Sequence, residues 1–137
     1  MMNNYNEYLL RNMNKDENKY IIEQEPYTAF IKGNSFKNLY KGYKNYKPMD
    51  INPTNEKQYS LLLVQMYDFI SHDLGLYLDV NPNDEKVLNL RNKYMMMQRK
   101  ALMDYENKYG SLNLNSTNLN NTPWGWDKTN FPWEVEN

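Results

Sequence analysis

The sequence predicts an all-α protein, built as a long antiparallel helical hairpin with an irregular aromatic N-terminal arm and a Pro/Trp-rich C-terminal tail. Two apolar stripes at helical spacing flank residues 76–84, which read Leu-Tyr-Leu-Asp-Val-Asn-Pro-Asn-Asp. Asn81-Pro82 is a turn signal, because proline disfavours helical backbone in the residue before it. Two long helices that fold back on each other at this corner explain both observations.

The first two segments precede the hairpin. Residues 1–19 are polar and asparagine-rich, and we expect a mobile terminus there. Residues 20–53 form an arm and linker with large aromatics but no sustained period, and with a turn signal at Gly33-Asn34. Between Pro26 and Pro48 the arm has five lysines and no acid. We expect it to be ordered by packing onto the hairpin of its own chain, in preference to an external partner.

The hairpin is assigned to residues 54–110, and its first helix begins after Thr54, which suits an N-cap, with Glu56 in the first turn. Apolar residues also lie off its stripe, so we expect contacts on more than one side. Gly75 costs about 1 kcal/mol relative to alanine in a helix interior, and we expect it to admit another backbone. The stripe consists of Tyr59, Leu62, Leu63, Met66, Phe69, Ile70, Leu74, Tyr77 and Leu78.

The second helix is predicted from the corner to Tyr109, with Asn81 as its N-cap and Pro82 at its first position. Gly110 suits the position just past its end. Methionines on its other faces leave apolar surface for the arm or a second chain, and a homo-oligomer is left open. Its stripe consists of Val87, Leu90, Tyr94, Met97, Ala101 and Tyr105, and the turn is assigned to Asp79, Asn81, Pro82 and Asp84.

Residues 111–137 form the tail, and its last fourteen residues contain all three tryptophans of the protein. A segment of this composition is expected to be neither a helix nor a central strand. Tryptophan is a frequent anchor at protein interfaces. The predicted partner-binding residues are Trp124, Trp126, Phe131, Pro132 and Trp133.

No sequence pattern indicates catalysis, and we expect no enzyme, no cofactor and no metal site. The absence of cysteine excludes a thiol nucleophile and a cysteine-rich zinc site. The only histidine, His72, lies between Ser71 and Asp73 in a predicted helix, where adjacent residues point about 100° apart and form no triad. A Glu-x-x-His pair, a P-loop and a dinucleotide fingerprint are missing.

Neither a membrane nor a nucleic acid is the expected partner. The N-terminus lacks the pattern of a signal peptide, and the run Leu61-Leu62-Leu63-Val64 is far shorter than the ~20 residues that span a bilayer. The lysine/aromatic arm has groups that can stack on single-stranded nucleic acid and contact its phosphates. A net charge of -1 is nevertheless not the strongly basic balance typical of such domains, so this stays an alternative function.

Three pieces of sequence occur in a distinctive order over about sixty per cent of the chain. They are residues 76–84, residues 105–112 (Tyr-Glu-Asn-Lys-Tyr-Gly-Ser-Leu), and the tail with Trp124-Gly125-Trp126 and Phe131-Pro132-Trp133-Glu134. From about Gln58 onward this combination resembles the CotJB family of bacterial endospore coat proteins. The chain departs from that pattern at Ser111, where proline is expected, and at Phe131, where tryptophan is usual.

Residues 26–46 resemble, more loosely, the companion coat protein CotJA, which implies a fused or extended chain. The CotJB resemblance implies a structural component of the spore coat, made in the mother-cell cytoplasm. Its implied partners are a CotJA-like protein and a manganese-catalase-like coat protein, which would supply the metal and the catalysis. A role as an accessory that modulates this catalase-like partner is the second alternative function.

Overall fold

The computed structural model describes residues 25–37, 44–128, 131 and 133–134, so the predicted mobile terminus lies outside the described residues. Helix α1 spans Pro26–Lys32, α2 spans Glu56–Val80 and α3 spans Glu85–Tyr109. Two short 3-10 helices follow at Thr117–Leu119 and Gly125–Lys128, and the described ranges contain no strand. Helices α2 and α3 pack against each other as a hairpin, which confirms the predicted fold class.

The chain divides into two compact units, residues 1–51 and residues 52–137. In the first unit, α1 begins with Pro26, whose fixed φ suits the first position of a helix. It ends at Gly33, which has a left-handed φ of 74° and donates its N–H to Phe30 O at 3.1 Å. The Gly33-Asn34 turn is therefore confirmed, whereas the arm is less irregular than the sequence predicts.

A tyrosine ties α1 to the end of this unit. The Tyr27 hydroxyl accepts a hydrogen bond from Ile51 N at 3.0 Å and donates one to Asp50 Oδ1 at 3.2 Å. A side chain in the first turn of α1 thereby orders the backbone of the predicted linker.

In the second unit, α2 begins one residue later than predicted, because Asn55 rather than Thr54 is the N-cap. The Asn55 side chain accepts from Gln58 N at 2.8 Å. The Gln58 side chain reaches back to accept from Thr54 N at 2.8 Å and from the Thr54 hydroxyl at 3.0 Å. Asparagine is a better N-cap than threonine, and the reciprocal bonds place Thr54 just outside the helix.

The corner between the long helices differs from the prediction. Asn81 ends α2, donating its backbone N–H to Tyr77 O at 3.0 Å, and Pro82 lies in the turn. Asp84 is the N-cap of α3, with Oδ1 accepting from Val87 N at 3.1 Å and Oδ2 accepting from the Tyr77 hydroxyl at 3.0 Å. The assignments of Asn81 as N-cap and of Pro82 as first helical residue are therefore wrong. A carboxylate caps the helix and also holds its neighbour.

Replacing Asp84 with alanine is expected to lower the free energy of unfolding by about 2 kcal/mol. The change removes an N-cap, worth about 1 kcal/mol, and leaves the Tyr77 hydroxyl without its acceptor. Urea denaturation followed by circular dichroism measures the loss. The matched control is Asp79→Ala, an exposed carboxylate in the last turn of α2, which should change stability by less than about 0.5 kcal/mol. Equal losses in the two variants would contradict the assigned cap.

The hydrophobic core follows the predicted stripe of α3. Val64 of α2 packs with Ala101 and Tyr105 of α3, and Tyr67 stacks on Tyr94 with ring centroids 6.2 Å apart. Half-buried apolar side chains surround this cluster. The buried members of the predicted α3 stripe are Val87, Tyr94, Ala101 and Tyr105.

Burial on α2 is not confined to one face. Met66 and Ile70 are buried, and so are Val64 and Ser71, which point roughly 120° away at 100° per residue. This spread agrees with the expectation drawn from the apolar residues off the stripe. None of the described helices is long and apolar enough to cross a membrane.

Gly75 makes room for a side chain, not for a backbone. A Cβ added at Gly75 would lie 3.1 Å from Nε of Arg91 on α3. The expectation that another backbone approaches at this position is therefore wrong. The guanidinium crosses the surface of α2 where the glycine leaves space, and its Nε is buried.

Candidate partner-binding tail

The tail starts at Gly110, where α3 ends. Gly110 has a φ of 106°, a backbone conformation that residues with a side chain rarely adopt. Its N–H donates to Glu106 O at 3.2 Å. The predicted position of Gly110 just past the helix is confirmed. Its backbone turns the chain so that Ser111 is buried immediately afterwards.

The Glu106 carboxylate holds the first part of the tail. Its Oε1 accepts from Leu112 N at 2.9 Å, and its Oε2 accepts from the Ser116 hydroxyl at 2.8 Å. Hydrogen bonds to an ionised group are roughly twice as strong as those between neutral groups. Asn118 adds a bond from its side-chain amide to Asn107 Oδ1 at 3.3 Å. These three bonds, which we call the Glu106 clasp, fold residues 112–118 back onto the last turns of α3.

Beyond the clasp the tail is compact. Ser116 caps the first 3-10 helix by accepting from Asn118 N, and Leu119 is 3% exposed. The second 3-10 helix packs against the first, after a cis peptide bond between Thr122 and Pro123. A cleft of about 410 Å³ lies between these 3-10 helices and the end of α3. The tail contains no α-helix and no strand in its described residues, as predicted.

The aromatic residues of the tail form a stack, which we call the aromatic ladder. Trp126 meets Phe131 edge-on with ring centroids 5.9 Å apart, and Phe131 is parallel to Trp133 at 4.8 Å. Trp133 is 76% exposed and Trp124 is 53% exposed. Exposed indoles are the side chains most often found as anchors in interfaces. Pro132 lies outside the described residues.

The structure places the predicted binding residues and the predicted turn residues in different regions. Trp126, Phe131 and Trp133 come together, whereas Trp124 belongs to no ring pair in the described part of the chain. The turn, with Asp84 at the start of α3, lies at the opposite end of a helix that is ~37 Å long at 1.5 Å per residue. The two groups therefore form two sites.

Sequence reasoning missed Glu106, although one signal was present. An acid in the last turn of a helix is unfavourable beside the negative end of the helix dipole, and therefore indicates a specific partner. In α3 that acid is Glu106, and its partners are donors in the tail.

The residues around His72 do not form a catalytic group. Ser71 is buried and donates its hydroxyl to Tyr67 O at 2.6 Å, whereas His72 is exposed. Across the ranges that the structure describes, no three His, Cys, Asp or Glu side chains are grouped so that they could hold a metal ion. The chemistry that this region offers is recognition by aromatic surface.

A protein-family model described as "CotJB protein" matches residues 58–134, which is more than half of the chain. No curated protein and no solved structure matches. The matched range includes most of α2, the corner, α3, both 3-10 helices and the aromatic ladder. The resemblance noted in the sequence from about Gln58 is thereby confirmed. The segment likened to CotJA lies outside the match and stays a prediction.

Proposed function

The chain belongs to the CotJB family of spore coat proteins, and on that premise we propose that it is a structural adaptor of the coat that docks onto another coat protein through its tail. CotJB is a coat protein family and not a known enzyme family. Within the coat, the adaptor would join proteins that do not themselves fit together. The mother-cell cytoplasm is the proposed place of its synthesis.

The exposed aromatic ladder is the observation that carries this proposal. Trp133 is 76% exposed while its ring lies parallel to Phe131 at 4.8 Å, so the apolar surface is exposed and already arranged. A surface that is ordered before binding loses less conformational entropy when a partner arrives. The Glu106 clasp holds the base of this tail on α3, with two bonds of 2.9 and 2.8 Å. The hairpin thus serves as a rigid handle for the ladder.

The proposed partner surface is an apolar groove on another coat protein, wide enough for two indoles. The manganese-catalase-like coat protein and a CotJA-like protein are the first candidates, because the family resemblance implies them. In this arrangement the catalytic metal stays in the partner, and the adaptor supplies attachment.

The experiment that tests the proposal replaces Trp124, Trp126 and Trp133 together with alanine in sporulating cells. We expect the variant to be lost from the purified coat while its helices remain folded, because the ladder contributes to docking and α2 and α3 have a separate core. Quantitative immunoblots of isolated coats measure incorporation, and circular dichroism of the purified variant reports the helices.

A matched control replaces three exposed apolar residues outside the tail, namely Tyr46, Met49 and Ile51, with alanine. This control removes apolar surface of similar kind and should leave incorporation unchanged. Incorporation of the tryptophan variant at the wild-type level would overturn docking by the tail. An equal loss in the control would show that the tail has no special part.

A further inference from the structure

Helices α2 and α3 carry opposite charge. Helix α2 has four carboxylates and one lysine, a net charge of -3, whereas α3 has six basic side chains and three carboxylates, a net charge of +3. Several of these charges are exposed and form no ion pair or hydrogen bond with any described residue. This group consists of Asp68, Asp79, Lys86, Arg99 and Lys100.

On each helix the exposed residues form a stripe with apolar members. The α2 stripe follows spacings of four, four and three residues, and Leu76 in it is 53% exposed. The α3 stripe has the same kind of spacing, and Met96 in it is 69% exposed and Met103 63%. The α2 stripe consists of Asp68, His72, Leu76 and Asp79; the α3 stripe consists of Leu88, Asn92, Met96, Arg99 and Met103, with Lys93 and Lys100 beside it.

The two stripes match each other along the hairpin axis. Within the hairpin, Tyr67 lies level with Tyr94, and Gly75 lies level with Arg91. At ~1.5 Å per residue, Leu76 is then level with Leu88 to within one turn. By the same register, Asp68 is level with the segment from Lys93 to Arg99, and Asp79 is level with Lys86. Acid thus stands opposite base, and apolar opposite apolar.

We propose that the α3 stripe of one molecule binds the α2 stripe of a second copy of this chain, with the two hairpins side by side and their long axes parallel. The second copy is the occupant that fits, because its α2 stripe offers the complementary charge and a leucine at the matching level. Methionine side chains suit such a contact, since they adapt their shape to the neighbour.

The contact joins two different surfaces, so it is heterologous. Each molecule that binds through its α3 stripe still offers its own α2 stripe to another copy. Heterologous contacts that do not close into a ring continue into open assemblies. The interaction therefore produces rows of hairpins rather than a closed dimer.

The first test is sedimentation velocity of the full chain over a range of concentrations at low and high salt. We expect the mean mass to rise with concentration at low salt and to fall toward the monomer at about 1 M salt, where the Debye length is about 3 Å. A monomer at every concentration in low salt would overturn the proposal.

The second test reverses the charge of one stripe at a time. One variant carries Lys93→Glu and Arg99→Glu on α3, and the other carries Asp68→Lys and Asp79→Lys on α2; all four side chains are exposed. Each variant alone places like charges in the contact and should be monomeric at low salt. An equimolar mixture should regain assembly, because each acidic stripe then meets a basic one.

A charge-matched control carries Lys44→Glu and Lys47→Glu, two exposed lysines outside both stripes, and should assemble like the wild type. Assembly of either stripe variant alone at the wild-type level, or no recovery in the mixture, would overturn the proposal. So would loss of assembly in the control, since total charge alone would then explain the effect. Circular dichroism confirms that each variant is helical.

This inference does not use the tail, so its outcome is separate from that of the proposed function. The variant in which Trp124, Trp126 and Trp133 are alanine should assemble at low salt like the wild type. The stripe variants, in turn, keep the aromatic ladder and the Glu106 clasp. Loss of self-assembly in the tryptophan variant would contradict the pairing of stripes.

Discussion

Replacing Tyr105 with alanine is expected to lower the free energy of unfolding of the hairpin by about 3–5 kcal/mol. Tyr105 is 2% exposed and packs with Val64 and Ala101 in the core between α2 and α3. Its ring centroid also lies 5.2 Å from that of Tyr109. Alanine leaves a cavity that the two helices can fill only in part. Because small domains are stable by about 5–15 kcal/mol, this single change removes a large share of the total.

Urea denaturation of the purified chain measures this loss through the shift of the midpoint. The matched control is Met103→Ala, two residues earlier on the same helix and 63% exposed. It should change the free energy of unfolding by less than about 0.5 kcal/mol. A Tyr105 variant as stable as the Met103 variant would contradict the assignment of the core.

Replacing Glu106 with alanine is expected to release the tail while the helices stay folded. The variant loses two hydrogen bonds to an ionised acceptor, each worth about 1.5–3 kcal/mol, and leaves Leu112 N and the Ser116 hydroxyl without this partner. A loss of about 3 kcal/mol in local stability should raise the rate of limited proteolysis in the tail by roughly a hundredfold, if cleavage follows the open state.

Limited proteolysis with mass spectrometry locates and times the first cut. Asp104→Ala is the matched control, since Asp104 is an exposed carboxylate two residues earlier that contacts no described residue. It should be cut at the wild-type rate. Glu106→Gln keeps one acceptor oxygen and should give an intermediate rate. Wild-type resistance in the Glu106→Ala variant would mean that the clasp does not hold the tail.

The same variant links the clasp to the proposed function. When the tail is released, the aromatic ladder keeps its side chains but loses its fixed position on α3. We therefore expect weaker incorporation of the Glu106→Ala chain into the coat, although Trp124, Trp126 and Trp133 are all present. The loss should be smaller than that of the triple tryptophan variant, because a released tail can still bind at an entropic cost.

The large elements were predictable because they depend on periodicity. Apolar residues at helical spacing identified α2 and α3, and Gly110 marked the end of α3 because few other residues adopt its φ of 106°. The cap of α3 was harder to predict. Asn81 and Asp84 are both good N-cap residues, and Pro82 fits the first turn of a helix from Asn81. The Tyr77–Asp84 hydrogen bond favours the later start, and it forms only in three dimensions.

The misses at Gly75 and Glu106 have the same origin. A glycine in a helix indicates that something approaches closely, but not whether that group is a backbone or the side chain of Arg91. An acid in the last helical turn indicates a partner, but the partners of Glu106 lie six and ten residues further along an irregular segment. By contrast, Trp126, Phe131 and Trp133 were identified as a group because their chemistry is evident from residue type alone.

The most direct test of the account is site-specific photo-cross-linking from the tail in sporulating cells. A photoreactive amino acid in place of Asp127, which is exposed beside Trp126, should form a covalent adduct with one other coat protein. The same group in place of Glu56, exposed at the start of α2, should not form that adduct. The account predicts an adduct that disappears when the three tail tryptophans are alanine. Equal cross-linking from both positions, or an adduct that persists without the tryptophans, would contradict docking by the tail.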